Sequence, residues 1–148
     1  SYARSGIRPY MEDVLKLAVK CWPDPVLQPQ VLAVIEQLSV SLPDQMKQHI
    51  PTLLPKLIGI LMRDAARRSP EACLKVLHVL QLFDADLQPT LQLALTAVLR
   101  LAEDRSAPTE LRRAALRWVT RLMGRLDMTL FSGQIMHTVL KIIGEAFT

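Results

Sequence analysis

The sequence predicts an all-α chain of repeated antiparallel helix pairs, and three observations carry that prediction. Apolar residues recur at helical spacing in seven stretches, near 8–22, 27–42, 48–63, 69–83, 88–103, 108–126 and 131–147, with short polar or proline-bearing breaks between them. Composition points the same way: half of the 148 residues are apolar and 22% charged, yet only five are glycine and 5% aromatic. That disfavours the tight turns and aromatic or β-branched strands of a sandwich or barrel. The third observation is an internal period. Acidic residues closing the odd-numbered stretches, Asp24, Asp64, Asp104 and Glu145, stand 40, 40 and 41 residues apart.

Aligning the stretches on that period produces matched apolar columns. In the odd-numbered set, Val14, Leu54, Ala94 and Ile135 form one column, Ala18, Ile58, Val98 and Val139 a second, and Cys21, Leu61, Leu101 and Ile142 a third. In the even-numbered set the columns are Val31, Ala72 and Ala115; Ile35, Val76 and Val119; Leu38, Val79 and Leu122; and Leu42, Phe83 and Leu126. Steps of three and four residues within each set describe one buried helical face. A helix pair repeating at about 40 residues lies in the HEAT and armadillo range and outside the shorter tetratricopeptide and ankyrin periods. The expected architecture is therefore a HEAT-type α-solenoid over residues 1–148, opening in mid-repeat, holding three complete pairs, and forming a fragment of a longer solenoid.

The boundaries follow from local chemistry. Trp22 closes the first stretch, and Asp24-Pro25 and Ser69-Pro70-Glu71 set a capping side chain before a proline whose missing N–H costs nothing in a first helical turn. Ala107-Pro108 does the same less well. Pro55 would clash with the carbonyl four residues earlier, so the third helix is expected to start late or to kink.

The same residues exclude several function classes. Gly6, Gly59, Gly124, Gly133 and Gly144 are isolated and make no phosphate-binding loop, and neither the kinase H-R-D and D-F-G elements nor a G-x-S-x-G elbow occurs. His49, His78 and His137 fall on three different stretches without metal-ligand spacing. The acidic pairs Glu12 with Asp13, Asp84 with Asp86, and Glu103 with Asp104 sit at helix ends, where solvated capping is the expected role. Cys21 occupies a core column, so a buried inert thiol is expected there and at Cys73. Two widely separated cysteines favour a reducing, cytoplasmic setting, and every apolar run is broken before it could span a bilayer. No catalytic residue, cofactor or metal site is expected.

One feature exceeds background. Arg113, Arg117, Arg121 and Arg125 recur at every fourth residue of the sixth stretch, with Arg112 beside them and Glu110 as the local acid. The four form a band beside the core stripe of Ala115, Trp118, Val119, Leu122 and Leu126, with Trp118 expected at the stripe's edge. The band reads either as a solvated ridge paired with acids of neighbouring turns or as a protein-binding surface for an acidic partner. Nucleic acid is disfavoured because no aromatic residues interleave the arginines and the net charge is only +4.

Five segments in collinear order carry a resemblance: Pro9-Tyr10-Met11-Glu12, Val34-Ile35-Glu36-Gln37-Leu38, Ile50-Pro51-Thr52-Leu53-Leu54-Pro55, Leu80-Gln81-Leu82-Phe83-Asp84-Ala85-Asp86-Leu87, and Arg112-Arg113-Ala114-Ala115-Leu116 running on to Leu126-Asp127-Met128-Thr129. From about Gly6 to Ile143 the chain resembles the middle HEAT-repeat region of the target-of-rapamycin (TOR) kinases, of the phosphatidylinositol-3-kinase-related family. It departs in the sixth stretch, which Arg117 and Arg125 make more basic. The resemblance implies a large nutrient-responsive serine/threonine kinase whose catalytic domain lies outside this chain. It implies as partners other HEAT repeats of the same kinase, a dimer mate and a Raptor- or Rictor-like subunit, in the cytoplasm or at a lysosomal or vacuolar membrane surface. Because fold does not fix function, a cargo or nuclear-transport adaptor built on the same repeats is the rival reading.

Overall fold

The computed structural model describes residues 2–62 and 70–146, and among them there is no strand. The helices are α1 (Tyr2–Cys21), α2 (Gln28–Ser41), the single turn α3 (Pro43–Met46), α4 (Ile50–Met62), α5 (Pro70–Phe83), α6 (Leu91–Glu103), α7 (Thr109–Met123) and α8 (Ser132–Ala146). Short 3₁₀ segments at Lys47–His49, Asp84–Thr90 and Thr129–Phe131 lead into α4, α6 and α8. The chain is all-α, as its apolar periodicity requires.

Several boundaries differ from expectation. α1 opens at Tyr2, well before residue 8, because its first turns carry no apolar period that would reveal them. Pro25 does not open α2; that helix starts at Gln28 with Pro29 in its first turn. Asp24 instead accepts a hydrogen bond from the Val26 N–H at 2.9 Å, and Asp104 accepts one from the Ser106 N–H at 3.0 Å. The periodic aspartates are thus turn residues that satisfy the chain just past a helix end. Pro108 is the residue before α7, where its carbonyl receives the N–H groups of Leu111 and Arg112. Asp64 and Ser69 lie outside the described residues. α4 does not start late: it begins at Ile50 and carries Pro55 within it. Burial of Ile50, Leu53, Leu54, Leu57, Ile60 and Leu61 explains this, since six side chains at about 1.5–3 kcal/mol each outweigh roughly 3 kcal/mol for an interior proline.

Packing follows the period. α2, α5 and α7 lie side by side in one layer, and α4, α6 and α8 in the other; α4 meets α5 and α6 meets α7 across the layers. α6 touches α4, α7 and α8, so Leu91, Ala94, Leu95, Ala97, Val98, Leu99, Leu101 and Ala102 are all buried. The column of Ile35, Val76 and Val119 is buried throughout, as is that of Leu42, Phe83 and Leu126. The first helix departs in part from its assigned register: Ala18 is buried as assigned, but α1 otherwise buries Met11 and Leu15, and the turn after it Trp22, while Val14 is 41% exposed. Cys21 is correspondingly half-buried. No helix among the described residues is long and apolar enough to cross a membrane.

Candidate protein-binding surface

Polar contacts between the helices of the first layer repeat with the same period as the core. In the first layer, Glu36 of α2 meets Nδ1 of His78 of α5 at 3.0 Å, Arg121 of α7 donates to Gln81 of α5 at 3.0 Å, and Arg125 donates from Nε and Nη2 to the two oxygens of the Asp84 carboxylate, the first at 2.6 Å. These pairs are 42, 40 and 41 residues apart. In the other layer Gln134 donates to Thr96 at 3.1 Å and Thr138 to Glu103 at 2.8 Å. Each is worth well under about 1 kcal/mol where exposed; the spacing of the first-layer pairs makes them register marks between equivalent helices, while the second-layer pairs are 38 and 35 residues apart.

Asp84 explains how such a mark is built. Its φ of 50° places it in the left-handed region, which Asp tolerates better than most residues. That turn ends α5 and carries the carboxylate toward α7. The hydrogen-bonded Arg125 guanidinium holds the Asp84 carboxyl below its usual range, and Asp84 raises Arg125 in return.

The structure divides the five arginines of the basic band. Arg121 and Arg125 are tied to α5 as described. Arg113 and Arg117 are exposed and make no hydrogen bond or ion pair among the described residues. Arg112 belongs to a different surface: it donates to the Ala102 carbonyl at 2.8 Å and to Glu145 at 2.9 Å, joining α7 to the end of α6 and to α8. Arg105 approaches the same carboxylate at 3.9 Å. Sequence spacing could not separate Arg112 from Arg113, because neighbours on a helix differ by 100° in direction, and only the position of α8 decides which one is covered. Arg112→Ala should therefore cost about 1 kcal/mol, since it strips partners from a carbonyl at a helix end and a half-buried carboxylate, whereas Arg113→Ala should cost a few tenths. Urea denaturation of the two variants checks this; equal midpoints would contradict the division.

The other residues singled out in the sequence lie away from the arginine band or beneath it. Trp118 is not at an edge but 2% exposed, and its Nε1–H has no acceptor among the described residues; burying the indole outweighs a penalty of about 1–3 kcal/mol. Cys73 is buried, its Sγ faces the Ile60 carbonyl at 3.7 Å, and burial pushes its thiol up to about 11, so it is protonated and unreactive at neutral pH. His49 borders a cleft of about 310 Å³ between α1 and α4 beside Glu12 and Lys16, and His137 is exposed on α8. Among the described residues no group of three or more His, Cys, Asp or Glu is placed to hold a metal ion.

Comparison with known proteins adds a relationship that the geometry does not carry. No family model matches the chain. It is similar to the serine/threonine-protein kinase mTor of Drosophila melanogaster, 26% identical over 97% of the chain, and to the serine/threonine-protein kinase TOR of Arabidopsis thaliana, 30% identical over 93%. A TOR kinase of Schizosaccharomyces pombe is 23% identical over 95%. The chain spans about 6% of the length of each of these relatives.

Proposed function

We propose that this chain, which matches a segment of TOR serine/threonine kinases along nearly its whole length, is a non-catalytic HEAT-type scaffold segment of such a kinase. The observation that carries the reading is the coincidence of two periods: the buried columns recur at about 40 residues, and so do the polar contacts among α2, α5 and α7, and such stacking gives a helical array a continuous core with an extended surface. In this reading residues 1–148 form one repeat segment of a longer solenoid. The kinase domain lies elsewhere in the parent, which assembles in the cytoplasm or at a lysosomal or vacuolar surface. The segment packs against other repeats of the kinase and supports dimerisation and the seating of a Raptor- or Rictor-like subunit. Arg113, Arg117, Arg121 and Arg125 are its candidate contacts, and Arg112 braces the helices behind them.

The test uses the full-length parent. A core-breaking Val119→Asp substitution should reduce recovery of the regulatory subunit or the dimer on size-exclusion chromatography, while phosphorylation of a short peptide persists. Unchanged assembly despite melting of the segment would contradict the scaffold role. So would saturable ATP binding by the isolated chain that a point mutation within it abolishes.

A further inference from the structure

The basic band borders a groove, and the groove has an apolar floor. Between α5 and α7 lies a cavity of about 190 Å³ whose walls include Leu74, Leu77, Ala114 and Trp118, with Arg117 and Arg121 on its rim. It adjoins a second cavity of about 390 Å³, bordered by Asp84, Arg121 and Arg125. His78, Gln81 and Arg121 line both cavities, so the two adjoin along the helix pair. Its charge is unbalanced. The two carboxylates that reach it are both engaged, Asp84 by Arg125 and Glu36 by His78; Arg121 is engaged by the neutral Gln81, and Arg117, like Arg113 one turn before it, has no carboxylate partner among the described residues.

We infer that this groove seats an acidic, amphipathic helix of a protein partner, its carboxylates on Arg113, Arg117 and Arg121 and an apolar side chain over the Leu74–Ala114 floor. The inference deepens, and rests on, the reading of the chain as a protein-binding scaffold. Two features select the occupant. Residues four apart on α7 rise about 6 Å along its axis, so a helix bearing Glu at every fourth position presents carboxylates in the same step. The floor is apolar and half-buried at Leu74 and Ala114, and apolar anchors in such pockets, ringed by charge, are where binding energy concentrates. The tied arginines add a further point: Arg121 is already held by Gln81, so a partner orders fewer side chains than four mobile arginines would require.

The test measures fluorescence anisotropy of a labelled helical peptide carrying Glu at every fourth position and a Leu between them, titrated with the whole chain. Saturable, salt-sensitive binding is expected. The double variant R113E/R117E should weaken it by about tenfold or more, because the two charges are reversed directly at the contact. Ala114→Trp, which fills the cavity without altering charge, should weaken it by about fivefold. Lys20→Glu, an equal charge change per site on exposed α1, should leave it within about twofold. The inference is overturned if the parent chain shows no saturable binding, if R113E/R117E binds like the parent, or if Lys20→Glu loses as much. A single-stranded oligonucleotide of matched charge binding more tightly than the peptide would overturn it too. Loss of the helical circular dichroism signal in R113E/R117E would mean that the two arginines are structural, with the same result, and Ala114→Trp tests the floor independently. None of these outcomes touches the scaffold reading, which is judged by assembly of the parent kinase.

Discussion

Val119→Asp should destabilise the chain by several kcal/mol, and Arg117→Asp, two positions away in the same helix, by about 0.5 kcal/mol or less. Val119 is 4% exposed and lies in the buried column with Ile35 and Val76. A carboxylate there loses its water and meets no cation, and a buried unpaired charge is among the costliest single changes. Arg117 is exposed, and removing an unpaired surface charge sacrifices little. Both variants introduce the same side chain into α7, and the propensity difference between the residues replaced is only a few tenths of a kcal/mol, so the difference reports burial. Thermal melts decide the matter. Equal losses would mean that the column alignment is wrong, and a larger loss for Arg117→Asp would mean that the arginine band is itself a packed interface.

Pro55→Ala should move stability in the opposite direction, raising it by about 1–2 kcal/mol. Pro55 sits inside α4 and is exposed, so replacing it removes no core packing. Alanine would restore an N–H toward the Pro51 carbonyl and relieve the ring's clash with it, out of a total helix-interior penalty of roughly 3 kcal/mol. Against this, the unfolded chain regains freedom worth about 0.4–1 kcal/mol, and a position in the second turn reduces the helix term. Urea denaturation monitored at 222 nm, the helical band, measures the shift. A lower midpoint for Pro55→Ala would show that the proline holds the bend from the Lys47–His49 turn into α4 and that its strain is needed for the fold.

Much of the fold is legible because one helical face must be apolar whatever it packs against. The columns of Ile35, Val76 and Val119 and of Leu54, Ala94 and Ile135 were readable for that reason, and they are buried. Val14 and Cys21 were assigned by the same alignment and are 41% exposed and half-buried. The apolar stripe of α1 is broad, and only its packing against α2 and beside α4 selects the side of it that carries Met11, Leu15 and Ala18. The short helix Pro43–Met46 and the 3₁₀ turns are not legible in the sequence because segments of three to seven residues are too brief to show a period.

The sequence by itself determined the all-α class, the 40-residue period, the main buried columns and the existence of a basic band on α7. Those properties are written in spacing within single helices, which each helix's own 3.6-residue geometry turns into faces. The tertiary structure decided how the band is used: Arg112 turns toward Glu145, Arg121 and Arg125 are held by Gln81 and Asp84, and Arg113 and Arg117 remain exposed, Arg117 beside a groove. A charged side chain's role depends on which neighbour's carbonyl or carboxylate lies within about 3 Å. That neighbour comes from a helix some 40 residues away, whose placement local periodicity does not specify.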